Sequence, residues 1–495
     1  MKTIGFDNEK YLKMQSARIR ERLDKFGGKL YLEFGGKLFD DYHAARVLPG
    51  FEPDSKLKML LELREQAEIV IAISAEDIAK NKVRGDLGIT YDLDVLRLID
   101  AFREAGLLVG AVVLTHYAGQ TQARAFEARL IKLGLKVCRH FPIQGYPFDV
   151  PLIVSEEGFG LNDYIDTRRP IVVVTAPGPG SGKMAVCLSQ LYHDHKRGIA
   201  AGYAKFETFP IWNLPLKHPV NIAYEAATAD LNDINMIDPF HLEAYGVTTV
   251  NYNRDVEVFP VLNNMFETIY GASPYKSPTD MGVNMAGNCI VDDAVVSAAA
   301  SQEIIRRHYQ AMCDRRQDKV GDEVTAKNLL LVKQSGLSEA MRPVIGAALR
   351  KAEETGNPAA AVQLCDGRLL TGKTSPLLGA SSAMLLNALK ALAGIQDDIP
   401  LLSPSVIEPI QKLKTVHLGN NNPRLHTDEI LIALAIGAVT NPIAQLALEQ
   451  LGKLEGAEMH STVLLSQVDI NVIRKLGINL TSEPVYQTKK LYHAK

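Results

Sequence analysis

The first half of the chain alternates apolar runs with segments whose apolar positions recur every three or four residues. LYLEF (30–34), EIVIAISA (68–75), LLVGAVVLT (107–115), LKVCRHF (135–141) and IVVVTA (171–176) predict strands. Between them LKMLLELREQA, DLDVLRLIDAFREAG (92–106) and the stretch 119–133 predict helices. The last two stop at Gly106 and Gly134, the residue type that most easily closes a helix. Near-continuous apolar strands separated by amphipathic helices indicate a parallel sheet covered on both faces. Such sheets bind ligands where strand C-termini meet helix N-termini. PGPGSGKM (177–184) and THYAGQTQ (115–122) fall on that rim.

The rhythm changes after about residue 207. FETFPIWNLPLKHPVN is rich in proline and aromatics and carries the only tryptophan, Trp212. Residues 224–246 mix helical periodicity with many Asp and Asn, and SPTDMGVNMAGN (277–288) is turn-rich. RRHYQAMCDRRQDKVGDE (306–323) predicts a solvated helix face ending in a linker. From 326 a helix leads into the hairpin AAAVQL–CDGR–LLTGK, then three or more helices between 376 and 452, a strand STVLLS (461–466), a helix and a last strand near 478. The expected organisation is a three-layer α/β domain over 1–245, a mainly helical region over 246–325, and a C-terminal α/β sandwich over 326–495.

Composition narrows the functional classes. At 495 residues the chain exceeds what one hydrophobic core serves. With 46% hydrophobic and 22% charged residues it has the balance of a well-packed soluble protein. A net charge of −3 and a pI of 6.5 offer no field that would recruit nucleic acid or an acidic membrane. MKTIGFDNEKYLKMQ lacks the apolar core of a secretion signal. Apolar runs such as ILIALAIGAV (430–439) are shorter than the ~20 residues that span a bilayer. Cys138, Cys187, Cys289, Cys313 and Cys365 lie far apart with no C-x-x-C pair, so reduced thiols in the cytoplasm are expected, and no zinc.

Two stretches compete as phosphate loops. GRLLTGKT (367–374) satisfies G-x-x-x-x-G-K-[ST] to the letter. Its context is wrong: Asp366-Gly367 is a hairpin-turn dipeptide, and Leu369 and Leu370 are strand residues. PGPGSGKM breaks the pattern at both ends, with Pro177 for the first glycine and Met184 for the hydroxyl that would hold Mg²⁺. Yet it joins a buried strand to a good helix, MAVCLSQLYHDH, as a phosphate loop requires. Gly178, Gly180, Ser181, Gly182 and Lys183 are therefore the expected phosphate-binding residues, with a tight packing turn as the alternative.

The following strand brings Lys205 and Glu207 toward the same rim. Glu225, Asp230, Asp233 and Asp238 are available carboxylates, since Mg²⁺ takes one or two of them plus phosphate oxygens. Asp230 and Glu225 are preferred because they lie in the small-residue run YEAATAD, with Asp230 as the metal ligand. His193-Asp194-His195 sits at a helix C-terminus, where polar residues complement exposed carbonyls. Thr115 and His116 follow a strand on the rim. Asn420, Asn421, Asn422, Arg424 and His426 precede a helix that Thr427 or Asp428 caps. A Ser–His pair at His460 and Ser461 lacks a G-x-S-x-G elbow. The hairpin and small-residue helix after 359 are like the opening of a deaminase-type sandwich, without its H-x-E and P-C-x-x-C zinc residues. Lys373, Thr374 and Ser375 would then form a second anion-binding cap, with His460 nearby.

FETFPIWNLPLKHPVN, AYEAATADLNDINMIDPFHLEAYG, SPTDMGVNMAGN, NNPRLHTDEILIALAIGA and HSTVLLSQVDINVIRKLGINLTSEPVY, with PGPGSGKM, resemble the bacterial family catalogued as domain of unknown function 1846 (uncharacterised protein family 0371). The resemblance covers essentially the whole chain. It implies a cytoplasmic protein with an N-terminal α/β domain, a helical middle and a zinc-free, deaminase-like C-terminal sandwich. It carries over no catalytic residue.

The expected function is an enzyme that binds a nucleotide or phosphorylated small molecule, of the phosphotransferase or ATP-dependent ligase type, with Lys183, Lys205, Glu225 and Asp230 as catalytic residues. Mg²⁺ and a nucleotide are the expected cofactors. Neither nucleic acid nor a membrane is an expected partner, and self-association is common at this size. The competing expectation is a non-catalytic regulator that binds the same ligand; a hydrolase using His460 ranks last.

Overall fold

The computed structural model describes residues 4–36, 38–39, 41–84 and 87–488. The chain forms two units, Met1–Glu225 with Asn232–Ala300, and Ala226–Leu231 with Ser301–Lys495. The stretch 246–325, expected to be mainly helical, is divided between them.

The first unit is built on six strands in chain order: β1 (Leu30–Phe34), β2 (Ala67–Ser74), β3 (Leu108–Thr115), β4 (Val137–Arg139), β5 (Ile171–Thr175) and β6 (Gly202–Phe206). A separate antiparallel ribbon joins β7 (Asn235–Ile237) to β8 (Val250–Tyr252). The short β9 (Gly282–Val283) then returns to complete a seven-stranded, all-parallel sheet in the order β9-β6-β1-β5-β2-β3-β4. Every residue of β1, β2 and β5 is buried, so both faces are covered, as the unbroken apolar runs require.

Helices α1 (Asn8–Lys25), α2 (Tyr91–Glu104), α3 (Thr121–Lys132), α4 (Lys183–Lys196) and α5 (Asn253–Tyr270) supply much of that cover. On one face Tyr31, Val172, Val174 and Tyr203 pack beneath Val186 and Leu191 of α4 and Phe259 and Phe266 of α5. Each such side chain contributes about 1.5–3 kcal/mol on burial. The chain leaves β1 toward β2 in one direction and leaves β5 toward β6 in the other. Opposed departures from neighbouring strands mark the place where doubly wound sheets bind ligands.

The second unit carries a four-stranded mixed sheet of β10 (Ala359–Gln363), β11 (Leu369–Lys373), β12 (Glu458–Ser461) and β13 (Asn479–Ser482). Its order is β11-β10-β12-β13, with only β12 and β13 parallel. The helices of this unit include α6 (Pro343–Thr355), α7 (Ala380–Ala393), α8 (Pro404–Lys412), α9 (Thr427–Ala438), α10 (Pro442–Leu448) and α11 (Gln467–Lys475). Met384, Leu385 and Leu389 of α7 form its core with Val362, Met459, Ile430 and Leu434. GRLLTGKT is a hairpin, with Gln363 opposite Leu369 and Gly367 at φ 87°.

The strand expected at STVLLS lies earlier, at Glu458–Ser461. Its charged residue is held by a tertiary partner that no local pattern reveals. Glu458 receives the buried guanidinium of Arg342, which also donates to the carbonyls of Met459 (3.0 Å) and Asn479 (2.8 Å). Among the described residues no helix is long and apolar enough to cross a membrane.

Candidate functional site

The glycine loop spans residues 176–182, between the end of β5 and the first residue of α4. Gly180 (φ 74°) and Gly182 (φ 79°) take the left-handed conformation, and Gly182 caps α4 without a side chain. Gly178 is required for another reason: a Cβ there would lie 2.2 Å from the Tyr91 hydroxyl of α2. The loop is braced from within. Ser181 Oγ donates to the Gly178 carbonyl (2.9 Å), and Thr115 Oγ1, at the end of β3, donates to the Ser181 carbonyl (2.9 Å). The bracing consumes carbonyls and leaves amides. Among the described residues none accepts from the N–H groups of Gly180, Ser181 or Gly182. Lys183, half-buried at the start of α4, has no carboxylate within ion-pair distance among them. Unclaimed amides at a helix N-terminus, beside a free ammonium, are suited to an anion.

A second group of charges occupies the same rim, at the ends of β1 and β6. Glu33 and Lys205 are register partners on adjacent strands, so their side chains share a face. Lys205 Nζ lies 2.6 Å from Glu207 Oε1 and pairs closely with Asp255, in the first turn of α5. Glu33 Oε2 accepts from the Tyr203 hydroxyl (2.6 Å). All three acids are buried, so three carboxylates face one ammonium in a low-dielectric environment. Burial pushes the Glu207 carboxyl up to about 7; Lys205 partly opposes this, while Asp255 and Glu33 reinforce it. Burial alone would lower the Lys205 ammonium, but Asp255, Glu207 and Glu33 more than offset it and hold it protonated. Cys187, one turn into α4, links the two groups electrostatically. Burial raises its thiol well above the ordinary range, Glu33 raises it further and Lys183 opposes.

Aromatic rings adjoin the charged group. Phe209 stacks on Tyr224 (4.9 Å between centroids, 18°), Tyr224 stacks on Tyr252 (5.8 Å, 27°), and His43 meets Phe209 and Tyr224 edge-on. The Tyr252 hydroxyl is fully buried without a hydrogen-bond partner among the described residues.

Glu225 Oε2 accepts from the Asn235 main-chain N–H (3.3 Å) and Nδ2 (3.1 Å), which ties down the start of β7. Asp230 is exposed on the turn Ala229–Leu231, within the second unit. Asp238 caps the helix Pro239–Tyr245 and accepts from Thr279 Oγ1 (2.6 Å). Glu225 is thus engaged by Asn235, whereas Asp230 belongs to the other unit. The acids at the rim are Glu207, seen in the sequence, and Glu33 and Asp255, which were not. One signal was available: Glu33 is an acid inside an otherwise apolar strand, LYLEF.

Most of the remaining residues have structural partners. Asp194 accepts from the Tyr31 (2.7 Å) and Tyr164 (2.8 Å) hydroxyls and pairs with Lys29, locking the end of α4. Lys373 is exposed at the end of β11, and Ser375 Oγ accepts from the N–H groups of Leu377 and Leu378. Thr374 is buried, its Oγ1 without a partner among the described residues. The helix that follows begins only at Ala380. His460 is fully buried, with Nδ1 on Thr481 Oγ1 (2.9 Å) and Nε2 3.2 Å from Glu483. Ser461, its neighbour on β12, points to the opposite face and donates to the Val463 carbonyl, so the two form no nucleophilic pair. Among the described residues no group of three or more His, Cys, Asp or Glu side chains is placed to hold a metal ion.

Fold and rim together define a two-unit α/β protein whose parallel sheet carries a glycine loop and a buried charge cluster at the ends of its central strands. The chain belongs to the family described as domain of unknown function DUF1846, as its motifs implied. The family's N-terminal part matches residues 4–336 and its C-terminal part residues 340–492. The chain is 58% identical over 492 residues to a UPF0371 protein of Streptococcus pneumoniae strain P1031, covering 99% of this chain and 100% of that one. It is 59% identical over 491 residues to UPF0371 protein DIP2346 of Corynebacterium diphtheriae, covering 99% of each.

Proposed function

We propose that the first unit binds a phosphorylated small molecule or nucleotide at the strand C-termini, with residues 178–183 as the phosphate cradle. The observation that carries this reading is the loop itself, where the unclaimed N–H groups of Gly180, Ser181 and Gly182 stand beside the unpaired Lys183. In this reading phosphate oxygens accept from those amides and from Lys183, while the Ser181 hydroxyl, spent on Gly178, supports the loop. Glu207 and Lys205 then serve proton and charge movements on the bound compound, because an acid that titrates near neutrality can exchange a proton in either direction. Phosphoryl transfer or ATP-dependent ligation is the reaction class, chemistry that rests on positioning and charge.

The second reading, a regulator that binds without turnover, is favoured by Met184, which stands where a phosphate-loop enzyme carries its Mg²⁺ hydroxyl. The five unpaired cysteines fit action in the cytoplasm. The β10–β11 hairpin followed by α7 fits a deaminase-like ancestry for the second unit.

The test is thermal unfolding of wild type and Lys183→Ala against nucleotides and sugar phosphates, with and without Mg²⁺. A ligand that binds only the folded protein raises its apparent stability. The expected outcome is a shift in wild type that the variant loses. Equal shifts in both proteins, or none with any phosphorylated compound, would remove the loop from consideration. Turnover of the ligand found this way separates enzyme from regulator.

A further inference from the structure

The sequence ILIALAIGAVTNPIAQLAL, residues 430–448, contains no charged side chain, yet much of it faces outward. It forms α9 and α10, separated by a break at Thr440–Asn441, where Asn441 Oδ1 accepts from the Ile443 N–H to cap α10. The inner stripe of α9, Ile430, Ala433 and Leu434, lies in the core of the second unit. Its outer stripe, Ile432, Ala435 and Ile436, continued by the C-cap residue Val439, is solvent-exposed: Ile432 at 60%, Ile436 at 70% and Val439 at 84%. A helix that is apolar all round is one that expects cover on every side. Beside it, the turn after α8 exposes Val416 and Leu418 and is tied to α9 by Lys414 Nζ on Glu429 Oε2 (2.7 Å).

We propose that this face of the second unit is covered by the same face of a second copy, in a two-fold dimer centred on α9. The inference does not depend on the ligand reading above. Three observations select this occupant. The outer stripe has the spacing i, i+3, i+4, i+7, the pattern by which one helix packs knobs-into-holes against another. A stripe of this kind is self-complementary about a two-fold axis, as an isologous interface demands. The exposed parts of Ile432, Ile436, Val439, Leu446, Val416 and Leu418 amount to on the order of 700 Å² of apolar surface, close to the ~800 Å² per partner of a standard interface. A lipid surface fits less well. α9 has 12 residues, too few to span a bilayer. The charges next to the uncharged stretch in the chain, Asp428, Glu429 and Glu449, are acidic, where an interfacial helix carries lysine and arginine. Lys414 of the neighbouring turn is buried on Glu429.

The test is sedimentation equilibrium of the full chain at 1–50 micromolar (about the range where such interfaces assemble), for wild type, Ile436→Glu and Ile432→Glu. Wild type should weigh at least twice the 54.3 kDa of one chain, and each variant should weigh less at unchanged circular dichroism. In a Cys365→Ser background, which removes the exposed native thiol, at least one of Ile432→Cys, Ile436→Cys and Val439→Cys should oxidise to a covalent dimer. A monomeric wild type, an assembly that both charged variants leave intact, or failure of all three cysteines to cross-link would each overturn the proposal. So would a monomer that pelleted with phosphatidylglycerol vesicles, which would assign the face to lipid.

Discussion

Replacing Glu207 with glutamine should change how the stability of the first unit depends on pH. The folded-state value of about 7 stands above the ordinary 4.5 of a glutamic acid. Between those values the folded protein holds a proton that the unfolded chain has released. The stabilisation that this proton represents is full below about pH 4.5 and is lost as the pH rises through about 7. At ~1.36 kcal/mol per pH unit, the loss between pH 5 and pH 8 is about 2–3 kcal/mol. Glutamine keeps the size and cannot titrate, so Glu207→Gln should gain about that much relative to wild type over the interval. Its offset at pH 5 is a separate quantity, which reflects the altered contact with Lys205. The chain supplies its own probe. Trp212 is the only tryptophan and lies in the first unit, with its ring against Gly282. Urea titrations followed by Trp212 fluorescence at pH 5, 6, 7 and 8 give the four differences directly. Parallel stability curves for the two proteins would refute the argument, because Glu207 would then release its proton at the same pH folded and unfolded.

Two further substitutions probe the same rim. Lys205→Met leaves the Glu33, Glu207 and Asp255 group without its cation and should cost about 3–5 kcal/mol, the usual penalty for an uncompensated buried charge. The same urea titration checks it, and the loss should be larger at pH 8 than at pH 5. Gly178→Ala places a methyl group 2.2 Å from the Tyr91 hydroxyl. It should destabilise by about 1–3 kcal/mol, as overpacking does, and Tyr91→Leu should recover most of that loss in the double variant.

What could be read from the sequence followed from how local each cause is. β1, β2, β3 and β5 were legible because a strand covered on both faces must be mostly apolar, whatever its neighbours. The glycine loop was legible for the same reason, since strand, bend and helix are consecutive. The hairpin at Asp366-Gly367 outweighed a perfect motif match because Leu369 and Leu370 had to pair with β10. Glu458–Ser461 did not read as a strand, because Glu458 depends on Arg342 and His460 on Thr481, partners set by the fold. The charge cluster was half visible for a related reason. Lys205 and Glu207 stand two residues apart, whereas Glu33 and Asp255 join them only when β1 is laid beside β6 and α5 begins above them. Glu225 and Asp230 were chosen for a small-residue run, which signals close packing and does not specify against what.

The division of the chain has a consequence for its synthesis. Ala226–Leu231 belong with the second unit, but they leave the ribosome before any other part of it. The whole of 232–300 must follow before Ser301 is made, a wait of several seconds at ~5–20 residues per second. When Leu231 is added, six of the seven strands of the parallel sheet have been made, while this segment, the end of the helix Pro219–Ala227 and the turn Ala229–Leu231, still lacks the rest of its unit. Ala229, buried in the finished protein, waits uncovered on that turn. A chain cut after Ala300 would keep this segment permanently without its unit, so a stop codon there should yield a fragment that chaperones retain.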